Sequence, residues 1–242
     1  MSDSPDTLDQ PVTYELEGNV AIIRFDDGKA NALGHDVLAT IQAMLTRAET
    51  DQARAVAIVG RPGKFSAGFD LAVMMSGPDQ ARDLLRAGAD LALRIFTFPM
   101  PVVLGVTGHA LAMGAILLMA ADVRIGANGP FKVGLPEVEI GMPLPKFAVE
   151  FARDRLDKRY FLSAVAHAVI TDPAGAIDVN FLDRVVEPDA VETATLEQAH
   201  DMADRLRAAA FIMTRTNSRQ DTAEAIQVSL DADIAAFSIG QS

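Results

Sequence analysis

The 242-residue chain contains no cysteine, so it can build no disulfide framework, thiolate nucleophile or zinc–sulfur site, and its four scattered histidines leave little for a metal. Cations are in deficit. Against 33 Asp and Glu stand 21 Lys and Arg, and the net charge of −12 repels phosphate backbones and anionic lipid headgroups. Nucleic acid is therefore not an expected partner, and a reducing, cytoplasmic compartment fits the missing thiols. Residues 1–11 carry Asp3, Asp6 and Asp9 but no cation and no apolar run, the reverse of a signal or transit peptide, and read as a disordered lead-in. Long apolar runs are scarce too. In Val102 to Ala121 only Thr107 and His109 are polar, over a length that could span a bilayer. Three glycines break that run, and β-branched Val precedes Gly108 whereas Met, Leu and Ala follow Gly114. It reads as a strand, a tight turn and a buried helix, with no membrane partner. What remains is ordinary globular composition, 50% apolar and 22% charged, enough to bury a sizeable core.

Two short β-rich runs, Val12 to Glu17 and Val20 to Phe25, are separated by Gly18-Asn19, a hairpin dipeptide. Asp36 to Thr50 then places Val37, Leu38, Ile41, Leu45 and Ala48 at helical spacing, and Ala55 to Val59 is a continuous apolar strand. A glycine-bearing loop, Gly60 to Asp70, is followed by helical sequence to about Phe98, where Pro99 and Pro101 stop it. Strand Val102 to Val106, helix Gly114 to Ala121 and strand Val123 to Ile125 repeat the alternation. Beyond Leu144 the pattern is mostly helical, including Ala190 to Ala210 and Asp221 to Phe237, with one strand at Arg184 to Val186. The expectation is an α/β core with parallel pairing over 12–187 and a helical region over 188–242.

Three segments carry chemistry. Lys64-Phe65-Ser66-Ala67-Gly68-Phe69-Asp70 follows a buried strand, and its small residues permit close approach of a ligand to the backbone; the bland alternative is a surface loop ending in a helix cap at Asp70. Ser66 lacks the glycine-flanked elbow of a hydrolase nucleophile. Gly108-His109-Ala110-Leu111-Ala112-Met113-Gly114 turns a strand into a buried helix whose first N–H groups could hold developing negative charge, or could simply pack closely. His109 there reads first as a hydrogen-bonded turn residue. In Val133 to Gly141, Glu137 sits after a proline among apolar neighbours, a setting that raises a carboxylate's pKa toward the range useful for proton transfer. If the chain is extended, Glu139 faces the other way, so one of the two meets solvent.

Together, in this order and at these separations, the three segments resemble the crotonase superfamily of enoyl-CoA hydratases and isomerases, over Val12 to about Arg184. Lys29-Ala30-Asn31-Ala32-Leu33 is similar to that family's Asn-Ala-Leu segment beside the coenzyme A groove. The resemblance implies a ββα spiral core, a helical C-terminal oligomerisation region, and a homotrimer or hexamer. It assigns Ala67 N–H and Met113 N–H to an oxyanion hole and Glu137 to the catalytic base. Substrate contacts are implied at Lys29, Ala30, Gly68, Phe69, Asp70, Leu71, Gly114 and Ile116 as well as at Ala67 and Met113. Coenzyme A enters as part of the acyl-CoA thioester substrate, with no separate cofactor and no metal. Its anionic phosphates need a local positive patch, for which Lys29, Lys64 and a C-terminal cation are candidates.

One departure bears on the reaction. Hydratases of this family place a first glutamate where this chain has Ile116, which can neither position nor deprotonate water. The retained carboxylate facing an apolar wall is similar to a Δ3-Δ2-enoyl-CoA isomerase. A 2-enoyl-CoA hydratase would need a second acid, Glu139 or His109. Other crotonase reactions, hydrolysis or carbon–carbon cleavage, and a non-catalytic acyl-CoA-binding role are the remaining readings. Met74, Met75, Phe96 and Phe98 suit an apolar acyl pocket or ordinary core packing.

Overall fold

The computed structural model describes residues 10–237, so most of the expected lead-in lies outside the described residues. Strands β1 (Val12–Glu17) and β2 (Val20–Phe25) form the antiparallel hairpin. After β3 (Ala32–Leu33), α1 (His35–Thr50) buries Leu38, Ile41, Leu45 and Ala48, the apolar face its spacing announced. The chain then winds through successive strand–strand–helix turns. In the first, β4 (Ala55–Val59), β5 (Gly63–Ser66) and β6 (Gly68–Phe69) lead to α2 (Leu71–Met74) and α3 (Pro78–Thr97). In the second, β7 (Val102–Val106) and β8 (Gly108–Leu111) lead to α4 (Met113–Ala120). In the third, β9 (Val123–Ala127) and β10 (Val133–Gly134) lead to α5 (Lys146–Arg155).

The first strands of these turns pair in a six-stranded sheet, ordered β1-β2-β4-β7-β9-β11, in which only the β1–β2 pairing is antiparallel. The second strands stack beside it as a parallel three-stranded sheet, β10-β8-β5, and β3 pairs with β6. Past α6 (Phe161–Val165), α7 (Pro173–Val179) and β11 (Arg184–Val186), two helices close the chain, α8 (Val191–Arg205) and α9 (Ala208–Ala236). The sheet is covered on both faces. Ile23, Val56, Ile58 and Leu104 enter the main core with α1, α3, α4 and α9, while Ile22, Ala57, Val103 and Ile125 pack beneath Ala199, Met202 and Ala203 of α8. All five residues of β4 are consequently buried, which accounts for its uninterrupted apolar sequence.

Four expectations need correction. The Gly60–Asp70 loop holds the short strands β5 and β6, and the turn before α4 holds β8. The helical stretch to Phe98 breaks at Gly77, whose φ of +154° lies outside helical space, and Pro78 opens α3. Leu206 and Arg207 separate α8 from a continuous 29-residue α9, where two helices meeting between Ala210 and Asp221 were expected. No helix among the described residues is long and apolar enough to cross a membrane.

Candidate active site

Two backbone corners and one carboxylate meet at the N-terminus of α4. The first corner is fixed from below by Asn31, buried and held at φ +50°, whose Nδ2 donates to the Phe25 and Phe65 carbonyls at 2.8 and 3.2 Å. Asp27 braces the same loop, accepting the N–H groups of Lys29, Asn31 and Ala32, and these bonds hold its carboxyl below the usual carboxylate range against an opposing desolvation. Asn31 thus supports the Ala30–Leu33 segment from inside. Upon that support β6 pairs with β3, and Asp70 N–H donates to the Leu33 carbonyl at 3.2 Å. Successive N–H groups in a strand alternate in direction, so with Asp70 N–H on β3 the Phe69 N–H points away from it. Ala67, the expected first donor, is corrected by this geometry: its N–H already donates to the Ala30 carbonyl at 3.1 Å. The available group is that of Phe69.

The second corner is Ala112. It precedes α4 at φ +52°, ψ −124°, a conformation costly for a residue with a Cβ, by about 1–3 kcal/mol. Met113 N–H, at the first helical position, has no intrahelical partner. It abuts Gly68: a Cβ built there would lie 3.4 Å from Met113 N and 2.8 Å from Ala112 Cβ, so only glycine fits, at φ +99°. The Met113 side chain itself turns into the core.

Glu137 is placed by the small sheet. β10 pairs with Ala110 and Leu111 of β8, Ala112 N–H donates to the Gly134 carbonyl at 3.1 Å, and the carboxylate follows three residues later. Its backbone sits in a turn, its carbonyl accepting from Met142 N–H at 2.8 Å and Ile140 N–H at 3.2 Å. The chain there is not extended, yet Glu139 is exposed because the turn directs it outward. Glu137 is 7% exposed and its Oε2 is buried without a hydrogen-bond partner among the described residues. Burial pushes its pKa up to about 7, against one opposing backbone hydrogen bond.

Phe69, Ala112 and Glu137 border a cavity of about 430 Å³, and Met113 follows Ala112 directly in the chain. Ala30, Ala67, Phe69, Asp70, Leu71, Ala112, Ile116 and Glu137 line it, together with residues the sequence did not single out: Leu85, Pro143, Pro145 and, just past the end of α9, Phe237. Met74, Met75 and Met142 add to an otherwise apolar wall, whereas Phe96 and Phe98 belong to the buried core. Asp70 is the other carboxylate on that wall, and it caps α2 through Ala72 and Val73 N–H. Lys29, Gly68, Met113 and Gly114 lie outside the wall, as do Glu139 and His109. His109 sits in β8 with Nδ1 accepting from Lys132 N–H at 3.0 Å; burial and then Lys64 and Lys132 press its pKa down. Lys64 and Lys132 therefore form a basic patch beside β8, while Lys29 is exposed. Among the described residues, no group of three or more His, Asp or Glu could hold a metal ion.

The family model described as enoyl-CoA hydratase/isomerase matches residues 15–241. The human mitochondrial enoyl-CoA delta isomerase 1 is 28% identical over 233 residues, covering 93% of this chain and 76% of the relative. A Mycobacterium tuberculosis enoyl-CoA isomerase of known structure is 36% identical with a TM-score of 0.89, over 94% of this chain and 99% of that one. An enoyl-CoA hydratase structure from Mycobacterium marinum is 34% identical with a TM-score of 0.90, over 95% and 100%. Similarity of this degree reaches relatives named for both reactions.

Proposed function

The chain belongs to the enoyl-CoA hydratase/isomerase family, the crotonase superfamily, and from that premise we propose that this enoyl-CoA-processing enzyme is a Δ3-Δ2-enoyl-CoA isomerase working with one carboxylate. The observation that carries the reading is the cavity wall itself. Among the described residues Glu137 is the buried carboxylate on it, Asp70 being engaged through Oδ1 as a helix cap, and Ile116 presents a hydrocarbon where a hydratase needs an acid. Neither Glu139 nor His109, the two substitutes a hydratase could have used, reaches the cavity.

In this reading the thioester oxygen of a 3-enoyl-CoA lies between Phe69 N–H and Met113 N–H. Glu137 removes a proton from C2, and the electron pair of that bond delocalises over a dienolate whose negative oxygen the two N–H groups hold. Donors of this kind each lower the barrier by about 3–4 kcal/mol. The same carboxyl returns the proton at C4, leaving the double bond between C2 and C3. Ile116, Leu85 and the methionines keep water from the intermediate. Only a proton moves, so no cofactor is needed beyond the coenzyme A of the substrate. Lys64, Lys132 and Lys29 are proposed for its phosphates; a Lys29→Ala, Lys64→Ala double variant with unchanged affinity would overturn that assignment. A trimer or hexamer through the helical C-terminal region is part of the same proposal, and a monomer on sizing contradicts it.

The test is ultraviolet detection of the conjugated 2-enoyl thioester, starting separately from 3-enoyl-CoA and 2-enoyl-CoA. Signal gained from the first and abolished by Glu137→Gln is expected. Signal lost from the second would mean hydration and overturn the isomerase.

A further inference from the structure

Ser66 is fully buried between Gly68 and Gly114, each the chain neighbour of one proposed oxyanion-hole donor. Its hydroxyl donates to the Asn31 carbonyl at 2.8 Å and accepts Gly68 N–H at 3.1 Å, a side-chain turn that holds Gly68 in its left-handed conformation. Gly68 in turn fixes the peptide that presents Phe69 N–H. On its other side Ser66 is the surface on which the first turn of α4 rests: a Cβ added at Gly114 would lie 2.8 Å from both Ser66 Cβ and the Ser66 carbonyl oxygen. The β5–β8 register shifts at this point, so that Ser66 stands opposite Ala110 although Lys64 stands opposite His109.

We propose that Ser66 is a positioning residue for the isomerase reaction, its hydroxyl setting the separation between Phe69 N–H and Met113 N–H. This rests on the oxyanion-hole reading above. Without the hydroxyl, Asn31 C=O and Gly68 N–H lose a buried partner and the 66–69 segment relaxes away from α4. Donor misplacement penalises the dienolate more than the neutral thioester, so turnover falls while substrate binding stays.

The experiment compares wild type with Ser66→Ala and Ser66→Cys on 3-enoyl-CoA from pH 5.5 to 9. In parallel, bound 3-oxoacyl-CoA is titrated by the ultraviolet absorption of its enolate, with Glu137→Gln as background. Ser66→Ala is expected to lower kcat about 10- to 100-fold with KM within about twofold, and to leave the pH inflection set by Glu137 in place. Ser66→Cys, which keeps a weaker acceptor, is expected to fall between. The bound 3-oxoacyl ligand is expected to ionise about one pH unit higher in Ser66→Ala than in Ser66, a tenfold loss of enolate stabilisation. Unchanged kcat and ligand ionisation in both variants of an active enzyme overturn the role of Ser66 alone, as does a loss confined to KM or melting temperature. A wild type that neither isomerises 3-enoyl-CoA nor promotes enolate formation overturns the proposed function and, with it, this role.

Discussion

Glu137 is both the proposed reactive group and a cost to the fold. Its carboxyl keeps a proton up to about pH 7 in the folded state, against 4.5 for a glutamate in water, so burial costs the ionised form about 3 kcal/mol. The folded state binds more protons than the unfolded one across that window, so stability falls as pH rises from 4.5 to 7 and stays lower above it. Glu137→Gln is expected to raise the melting temperature at pH 8 and to change it little at pH 4, read by parallel thermal scans. The wild-type kcat/KM, which needs the ionised base, is expected to rise with pH and reach half its plateau near 7. Ala112 is a second residue held against its preference. Ala112→Gly is expected to stabilise the protein by about 1 kcal/mol in denaturant titration, the relieved strain exceeding the entropy of glycine. The sequence pattern was enough to place Glu137 among apolar neighbours. It did not distinguish Ala67 from Phe69 as donor, because that choice depends on which way alternate N–H groups face once β6 has paired with β3.

At the scale of elements, long periodic stretches such as α1 and continuous apolar strands such as β4 and β7 were legible because burial imposes their pattern. β6 and β10 have two residues each, too few for any period, and exist because tertiary pairing holds them. The site is built on such pieces. The end of α9 was legible as helix but not as a wall of the cavity, since that depends on where α9 crosses α5. Asp233 of α9 accepts Lys146 and Phe147 N–H at 3.0 Å each, capping α5 from another helix and anchoring Phe237 beside Pro143 and Pro145. Phe237→Ala is expected to shift preference toward longer acyl chains, by about tenfold in the ratio of kcat/KM values for long and short 3-enoyl-CoA substrates.

At the scale of the molecule, the opposite end of α4 is held by cations. Asp122 accepts Val102 N–H at 2.8 Å and pairs with Arg215 and Arg219 of α9, while Arg219 donates to the Phe96 and Ala120 carbonyls and Arg155 of α5 to those of Met119 and Ala121. Burial and neighbouring arginines bring the Arg155 pKa down to about 10. The C-terminal ends of α3 and α4 thus meet guanidinium groups, the favourable end for positive charge. Asp122→Ala strips the counter-charge from Arg215 and Arg219 and is expected to destabilise the fold by about 3–5 kcal/mol in denaturant titration. An otherwise acidic chain thereby concentrates cations at two interior helix ends and, through Lys64 and Lys132, beside the small sheet. Within this architecture the proposed chemistry needs one buried carboxyl, Glu137, to carry a proton from C2 to C4. The most direct measurement is the fate of deuterium when 2,2-dideuterio-3-enoyl-CoA is converted in ordinary water. Deuterium recovered at C4 of the 2-enoyl product is the predicted result; a product deuterated at C2 alone, the abstracted deuteron lost entirely to solvent, or a hydroxyl at C3, would contradict it.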